Sequence, residues 1–285
     1  MSIPKKLHIV WVGNSNKAPL DCIESWRRNH TAWDVKLWTD SHLEEARWIN
    51  AAHLRAFARA RQWPAVADLM RYEILYREGG IYVDADSFSL RPLDDWLLEA
   101  EMFACWEDTL ATGRARLVSN AFLGSVPQNP FLRYLINTIG KQRELFKRWS
   151  WSRLRHVRMG SWRSVGPYRL TKCIYDYEGR GYHDISILPS HMFCPNHYRG
   201  KLYSGRGLVY ADHRWATTKK SYDQLADSVV APPIPSSSAP PLVLMQSEEL
   251  FLPLQYKPLA GGRANPCSFR LIESTPTKAH RSGKV

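Results

Sequence analysis

Asp84 and Asp86 are the residues of this chain best suited to do chemistry. They close the run Gly79-Gly80-Ile81-Tyr82-Val83-Asp84-Ala85-Asp86, which reads as a short strand opened by two glycines. Side chains alternate faces along a strand, so the two carboxylates are expected on one side, one pleat apart. Paired carboxylates repel, and a nearby cation relieves the repulsion. A hard divalent ion takes oxygen ligands of this kind and keeps positions open for phosphate oxygens. The pair therefore reads as a site for a metal ion and a diphosphate. The plain alternative is a solvated strand end or an N-cap for the next element.

Just upstream, Asp68, Arg71 and Tyr72 stand at i, i+3 and i+4, which puts them on one helix face. Val66, Met70 and Ile74 form another stripe that suits a core. Asp68 and Arg71 read either as a local ion pair or as a grip on a sugar ring. In the second reading the carboxylate accepts hydroxyl protons and the guanidinium donates its own.

These side chains need elements to hold them. Apolar patterning predicts strands over 7–13, 34–40, 80–84, 102–107 and 117–125, and helices over 21–30, 41–61, 64–78 and 129–147. Pro64 suits a first helical turn, and Gly79-Gly80 suits a stop. Strands alternating with helices predict an α/β domain with a largely parallel sheet. In such sheets ligands lie beyond the carboxyl ends of the strands. Trp11-Val12-Gly13 and Asp84-Ala85-Asp86 both occupy such ends. The texture changes after Ala226. One catalytic domain is expected over 1–228, a Pro/Ser-rich linker over 229–241, and a weakly structured tail over 242–285.

Hydrophobic residues make up 44% of the 285, which excludes a disordered protein. The five cysteines are scattered with no CxxC pair, so neither a zinc site nor a disulfide framework is signalled. The N-terminus lacks the apolar stretch of a signal peptide, and no window is long enough to span a bilayer. The expected location is cytoplasmic, with contact from the inner face of the membrane if it touches one. Net charge is +12, and residues 141–163 hold eight Lys/Arg against one Glu, alternating with Trp149, Trp151 and Trp162. Docking on an anionic bilayer is the first reading of that segment, a solvated helix face the second. Nucleic-acid binding comes last, because a phosphate-gripping surface leaves the acidic pair unexplained.

Asp68 and Arg71, followed by the double glycine and the acidic pair, resemble the signature of the glycosyltransferases with a DXD-containing sugar-binding region, glycosyltransferase family 32. Its relatives are fungal initiating mannosyltransferases, animal α-1,4-galactosyltransferases, bacterial capsular polysaccharide enzymes and, distantly, clostridial toxin glucosyltransferase domains. The resemblance runs from Lys6 to about Trp215 and is strongest over 66–88. It implies the GT-A nucleotide-diphospho-sugar transferase fold, a Rossmann-like mostly parallel sheet flanked by helices. It also implies a retaining hexosyltransferase that uses Mn²⁺ or Mg²⁺. The donor would be a nucleoside-diphosphate sugar, UDP ahead of GDP, and the acceptor a glycan or lipid-linked glycan.

By the same resemblance Trp11, with Val10 beside it, stacks on the donor base, or else is a core Trp at a strand end. Asp68 and Arg71 hold the donor sugar, and Tyr82 lines the donor pocket. Asp84 contacts ribose or sugar, directly or through the metal, and Asp86 is the principal metal ligand. Asn120 approaches the sugar or acceptor, or else is a buried Asn that satisfies backbone groups. Gly166-Pro167 starts a helix that shapes the acceptor side. His213 of the element His213-Arg214-Trp215 completes the metal shell, with Asp212 as the fallback. The family's following Ser-Trp pair is absent, and Thr217-Thr218-Lys219-Lys220-Ser221-Tyr222 takes its place. The rival readings are a catalytically weak nucleotide-sugar-binding protein, a nucleotide-sugar hydrolase and a basic nucleic-acid-binding protein.

Overall fold

Strand β1 (Lys6–Val10) lies between β2 (Asp34–Trp38) and β3 (Gly80–Val83), parallel to both. Its apolar side chains point both ways: Leu7 and Ile9 join one core layer, Val10 the other. A strand buried on both faces is the mark of a sheet covered by helices on each side. The computed structural model describes residues 2–107, 117–142, 147–150, 155–158, 160–178 and 185–222. Beyond β3 come β6 (Val118–Ser125), β5 (Met102–Trp106) and β9 (Ile185–Leu188), giving the order β2-β1-β3-β6-β5-β9. Only β6 runs against the rest. The mostly parallel α/β architecture is therefore as the sequence predicts.

One face is covered by α3 (Ala51–Arg59), α4 (Trp63–Glu78), α5 (Pro130–Gly140) and α7 (Pro167–Glu178), which share a core through Phe57, Leu69, Leu135 and Leu170. The other face is covered by α1 (Leu20–Asn29) and its buried Ile23 and Trp26. Beside α1 lies a small ribbon of β4 (Ser87–Ser89) and β10 (Ala211–His213), which pairs His213 with Ser87. That pairing carries the chain's later half back to the acidic motif. Gly80 has φ +100, and a Cβ there would meet the Lys6 carbonyl at 2.7 Å. The double glycine thus lets β3 enter the sheet close against β1.

Three local expectations give way to tertiary contacts. The helix predicted over 41–61 is two helices, α2 (Asp40–Glu45) and α3. The buried Glu73 carboxylate accepts hydrogen bonds from the backbone N–H groups of Ile49 and Asn50, which starts a new helix there. The helix predicted over 129–147 ends at Gly140, where a Cβ would stand 2.7 Å from Asn50 Oδ1. Finally, β3 stops at Val83. Asp84–Ser87 is a turn closed by Ser87 N–H to the Asp84 carbonyl at 3.0 Å, so pleat alternation does not align the two carboxylates.

Within the basic stretch, β7 (Lys147–Ser150) and β8 (Arg155–Arg158) form an antiparallel pair, which replaces the helix-face reading. The intervening residues 151–154, the linker 229–241 and the tail 242–285 lie outside the described residues. No described helix is long and apolar enough to cross a membrane. Short helices α6 (Ser161–Ser164) and α8 (Ala216–Lys219) complete the elements used below.

Candidate active site

The turn after β3 brings together what the sequence separates. Ligand atoms of Asp84, Asp86 and His213 all lie within 4.8 Å of one another. His213 Nε2 is 3.3 Å from Asp86 Oδ1 and 3.6 Å from Asp84 Oδ2. The other Asp86 oxygen accepts the Ala216 N–H at 2.7 Å. That N–H is aimed by Trp215, whose φ of 59° and ψ of 33° are left-handed, an uncommon choice for a bulky residue. Asp212, the fallback ligand, faces away from the pair, as alternation on β10 requires. It accepts from Asn196 Nδ2 at 2.9 Å and pairs with Arg214.

Arg71 is the hub behind this group. Its Nη1 lies 3.0 Å from Asp84 Oδ1 and donates to the Asn120 carbonyl, and its Nη2 lies 3.1 Å from Asp68 Oδ1. Its guanidinium sits 4.3 Å over the Tyr82 ring, while Tyr82 Oη donates to Asp84 Oδ1 at 2.9 Å. Asn120 Nδ2 donates to Asp68 Oδ1 at 2.7 Å and lies 3.1 Å from Tyr72 Oη. Asp68, Arg71 and Asn120 are all buried, so the stripe is a sealed network and not a solvated face.

Burial disfavours every charge here, and neighbours decide the outcome. Asp68 is pushed up to about 6 by burial, against the pull of Arg71. Asp84 is also raised by burial, although Arg71 and His213 oppose it. Asp86 ends below the usual carboxylate range, because His213 and the Ala216 N–H outweigh burial. His213 ends above its ordinary value, since Asp86 and Asp84 outweigh its burial. The two carboxylates thus draw positive charge onto the imidazole between them.

A divalent ion fits that donor set. Carboxylate oxygens suit Mg²⁺ and Mn²⁺, and a neutral imidazole is a common additional ligand. His213 Nδ1 is buried and has no partner among the described residues, so the ring's hold on the site runs through Nε2.

A cavity of about 480 Å³ opens beside the acids. Of the residues singled out from sequence, Val10, Trp11, Arg71, Asp84 and Asp86 line it. Asp68, Tyr82, Asn120 and His213 are not on its wall. They lie directly behind it, bonded to residues that are, Asn120 through its carbonyl to Arg71. Sequence reasoning missed Lys17 and Trp63 and gave no role to Lys220 and Tyr222 of the 217–222 segment; all four close the cavity's sides. The Tyr222 ring meets Trp11 edge-on at 5.2 Å. Only Gly13 hinted at Trp63: it has φ +97, and a Cβ on it would stand 2.8 Å from the indole.

Comparison with known proteins bears on the same residues. Residues 17–103 match the family described as glycosyltransferase sugar-binding region containing DXD motif. Inositol phosphoceramide mannosyltransferase 1 of Schizosaccharomyces pombe is 27% identical over 146 residues, which is 49% of this chain and 43% of that protein. Mannosyl phosphorylinositol ceramide synthase CSH1 of Saccharomyces cerevisiae is 33% identical over 150 residues, 48% of this chain and 35% of its own length. The chain therefore spans less than half the length of these two relatives. Both are fungal, and neither carries the bacterial capsular association that the resemblance suggested. The UDP-bound glycosyltransferase domain of the YGT toxin aligns with a TM-score of 0.47 at 10% identity, covering 65% of this chain and 79% of that one. Residues 17–103 of this chain therefore carry a glycosyltransferase sugar-binding region containing a DXD motif, presented by the mostly parallel sheet.

Proposed function

We propose that the protein transfers a hexose from a nucleoside-diphosphate sugar to a hydroxyl of a glycan or lipid-linked acceptor, with the help of a divalent metal. The observation that carries this reading is the convergence of Asp84, Asp86 and His213 within 4.8 Å at the edge of a cavity of donor size. Asp86, Asp84 and His213 would hold Mn²⁺ or Mg²⁺. The ion's contribution is Lewis-acid neutralisation of the charge that grows on a departing diphosphate.

The chain's own residues do the rest. Trp11 offers an aromatic face to the base, UDP ahead of GDP, with Val10 beside it. Arg71, held rigid by Asp68, Asp84 and Tyr82, presents a fixed donor to the sugar or its phosphate. Asp68 spends one oxygen on Arg71 and Asn120, and its other oxygen faces Gly166. Asn120 acts by positioning Asp68, since its amide is spent there. Lys17 and Lys220 line the cavity where the diphosphate would lie. Three carboxylates of Asp68, Asp84 and Asp86 would be balanced by Arg71 and a dication, so the diphosphate's own charge falls to these lysines.

The printed names of the two fungal relatives, which concern inositol phosphoceramides, favour an acceptor attached to lipid. Contact with an anionic membrane through 141–163, from the cytoplasmic side, fits such an acceptor. A retaining, same-face course completes the reading. The test is to incubate purified protein with Mn²⁺ and a panel of UDP- and GDP-sugars and to follow nucleoside diphosphate release. Release with one donor, enhanced by an acceptor, supports transfer. Release unaffected by any acceptor makes the protein a hydrolase, and no release with any donor overturns the reading.

A further inference from the structure

Residues 195–203 fold back on themselves as a tight hairpin. Asn196 bridges Leu202, the His197 N–H donates to the Lys201 carbonyl at 2.8 Å, and the Tyr203 N–H donates to the Pro195 carbonyl at 2.8 Å. Gly200 makes the turn with φ +79, and its N–H donates to the His197 carbonyl at 2.9 Å. The base of the hairpin is fixed to Trp215. The indole Nε1 donates to the Asn196 carbonyl at 2.6 Å, and the rings of His197 and Tyr198 each pack 5.4 Å from the Trp215 ring. That ring lies 4.4 Å from His213. The hairpin therefore stands one aromatic layer from the group that would hold the ion.

Its tip faces water. Leu202 is 69% exposed, and Arg199, Lys201 and Arg206 are exposed close to it in the chain. Residues 185–211 contain no Asp or Glu. None of the three cations pairs with an acidic group among the described residues. Trp162, 44% exposed, lines the same cleft as Tyr198 and Arg199. The Arg163 guanidinium lies 5.9 Å over the Trp162 ring, and Tyr168 is tilted against it at 5.4 Å. Glu107 is the one acidic residue on that cleft's wall. Apolar residues exposed singly are ordinary. An aliphatic tip and an open indole set among four cations are a different case.

We propose that this hairpin, together with Trp162, docks on an anionic bilayer, with Leu202 entering the boundary between headgroups and acyl chains. Charge complementarity selects the partner: anionic headgroups offer the counter-charge that Arg163, Arg199, Lys201 and Arg206 lack. An open indole suits the membrane–water interface. The aliphatic tip gains from hydrocarbon and gains nothing from the phosphates of a nucleic acid. The inference rests on the membrane contact proposed above for 141–163 and adds to it a second element and the side chain that enters the lipid. The rigid attachment through Trp215 has a consequence for position. A hairpin seated on the surface holds the acidic centre beside that surface.

The test is co-sedimentation of the full chain with vesicles of phosphatidylcholine alone and of phosphatidylcholine mixed with phosphatidylserine. Wild-type protein should bind only the mixed vesicles, and added salt should release it. Replacing Lys201→Gln and Arg206→Gln together should weaken binding about 25-fold, about fivefold for each charge. Leu202→Ser should weaken it about tenfold. These side chains are exposed, so melting temperature and UDP affinity should stay unchanged in every variant. Either hairpin variant binding like wild type would overturn the proposal. Loss of binding in the double variant Arg155→Gln and Arg158→Gln would then leave the contact through 141–163 standing alone. Wild-type protein that ignores the mixed vesicles, or binds both kinds equally, would overturn both. Protein that binds the mixed vesicles but neither UDP nor GDP would overturn the donor reading and leave the docking intact.

Discussion

Arg71 Nη1 lies 3.0 Å from Asp84 Oδ1, and this bond crosses from helix α4 to the turn that follows β3. It joins the two halves of the sequence motif into one rigid object. Arg71 is buried and Asp84 is largely so, and each supports the other's charge. Arg71→Ala leaves Asp68 and Asp84 buried without their cation. It should destabilise the protein by about 3–5 kcal/mol. Arg71→Lys should recover part of that stability but not donor turnover, since one ammonium cannot reach both carboxylates in the same geometry. Urea denaturation of both variants checks this, and an Arg71→Ala curve that overlays wild type would refute it.

Gly13 is the position where a single methyl group should matter most. Its φ of +97 and the 2.8 Å approach of Trp63 leave no room for a Cβ. Its N–H also donates to both Asp40 oxygens at 3.1 Å, which fixes the loop that carries Trp11. Gly13→Ala should cost about 1–2 kcal/mol from backbone strain alone and should weaken nucleoside diphosphate binding by displacing Trp63. Calorimetric titration with UDP alongside thermal melting separates the two effects. Full affinity and stability in this variant would show that the cavity wall yields freely.

The acidic pair was legible because it follows Asp68, Arg71 and a double glycine in one motif; alone it would equally read as a solvated strand end. How they meet was not legible. Strand alternation was the wrong device, since β3 ends at Val83 and a turn closed at Ser87 brings them together. His213 stands 127 residues from Asp86, and only the family resemblance pointed to it. The helix break before Asn50 depends on Glu73, a contact that no local propensity encodes. Lys220 and Tyr222 lie in the segment that replaces the family's closing pair, but they had no assigned role, because they become a wall only when the β4–β10 ribbon returns the chain to the motif; Trp63 was missed because nothing in its local sequence shows which way the start of α4 faces.

His30 gives the stability a definite pH dependence. Its Nδ1–H donates to the Trp26 carbonyl at 2.9 Å and its Nε2 accepts the Leu93 N–H at 3.0 Å, which fixes a neutral ring. Burial holds its pKa below the ordinary 6.5. The unfolded chain takes up a proton near pH 6.5, and the folded one does so only at lower pH. The His30 contribution is therefore complete above about pH 6.5 and is lost as pH falls toward the folded value. Asp68 and Glu73 act the other way, because their folded values are raised by burial and they favour the fold as pH falls. Comparing melting temperatures of wild type and His30→Gln between pH 7.5 and 5.5 isolates the histidine. The variant should lose less stability on acidification, and an identical slope would refute the assignment.

Lys220 ends α8 in a left-handed conformation, with φ 56° and ψ 40°, and lines the donor cavity. Asn tolerates that backbone, so Lys220→Asn removes the charge at little structural cost. It should weaken UDP binding about tenfold, leave uridine binding unchanged, and flatten the salt dependence of UDP affinity. Lys220→Arg should restore the loss. Equal weakening of UDP and uridine would mean that the residue shapes the wall and does not meet phosphate.

The central claim is that Asp84, Asp86 and His213 hold one divalent ion beside the donor cavity. It is tested most directly by titrating Mn²⁺ into the protein with UDP present and following the free ion by electron paramagnetic resonance. The prediction is one bound equivalent per wild-type chain and none in a folded Asp86→Ala variant. Wild-type protein that leaves all the Mn²⁺ free, or an Asp86→Ala variant that binds it equally well, would contradict the claim.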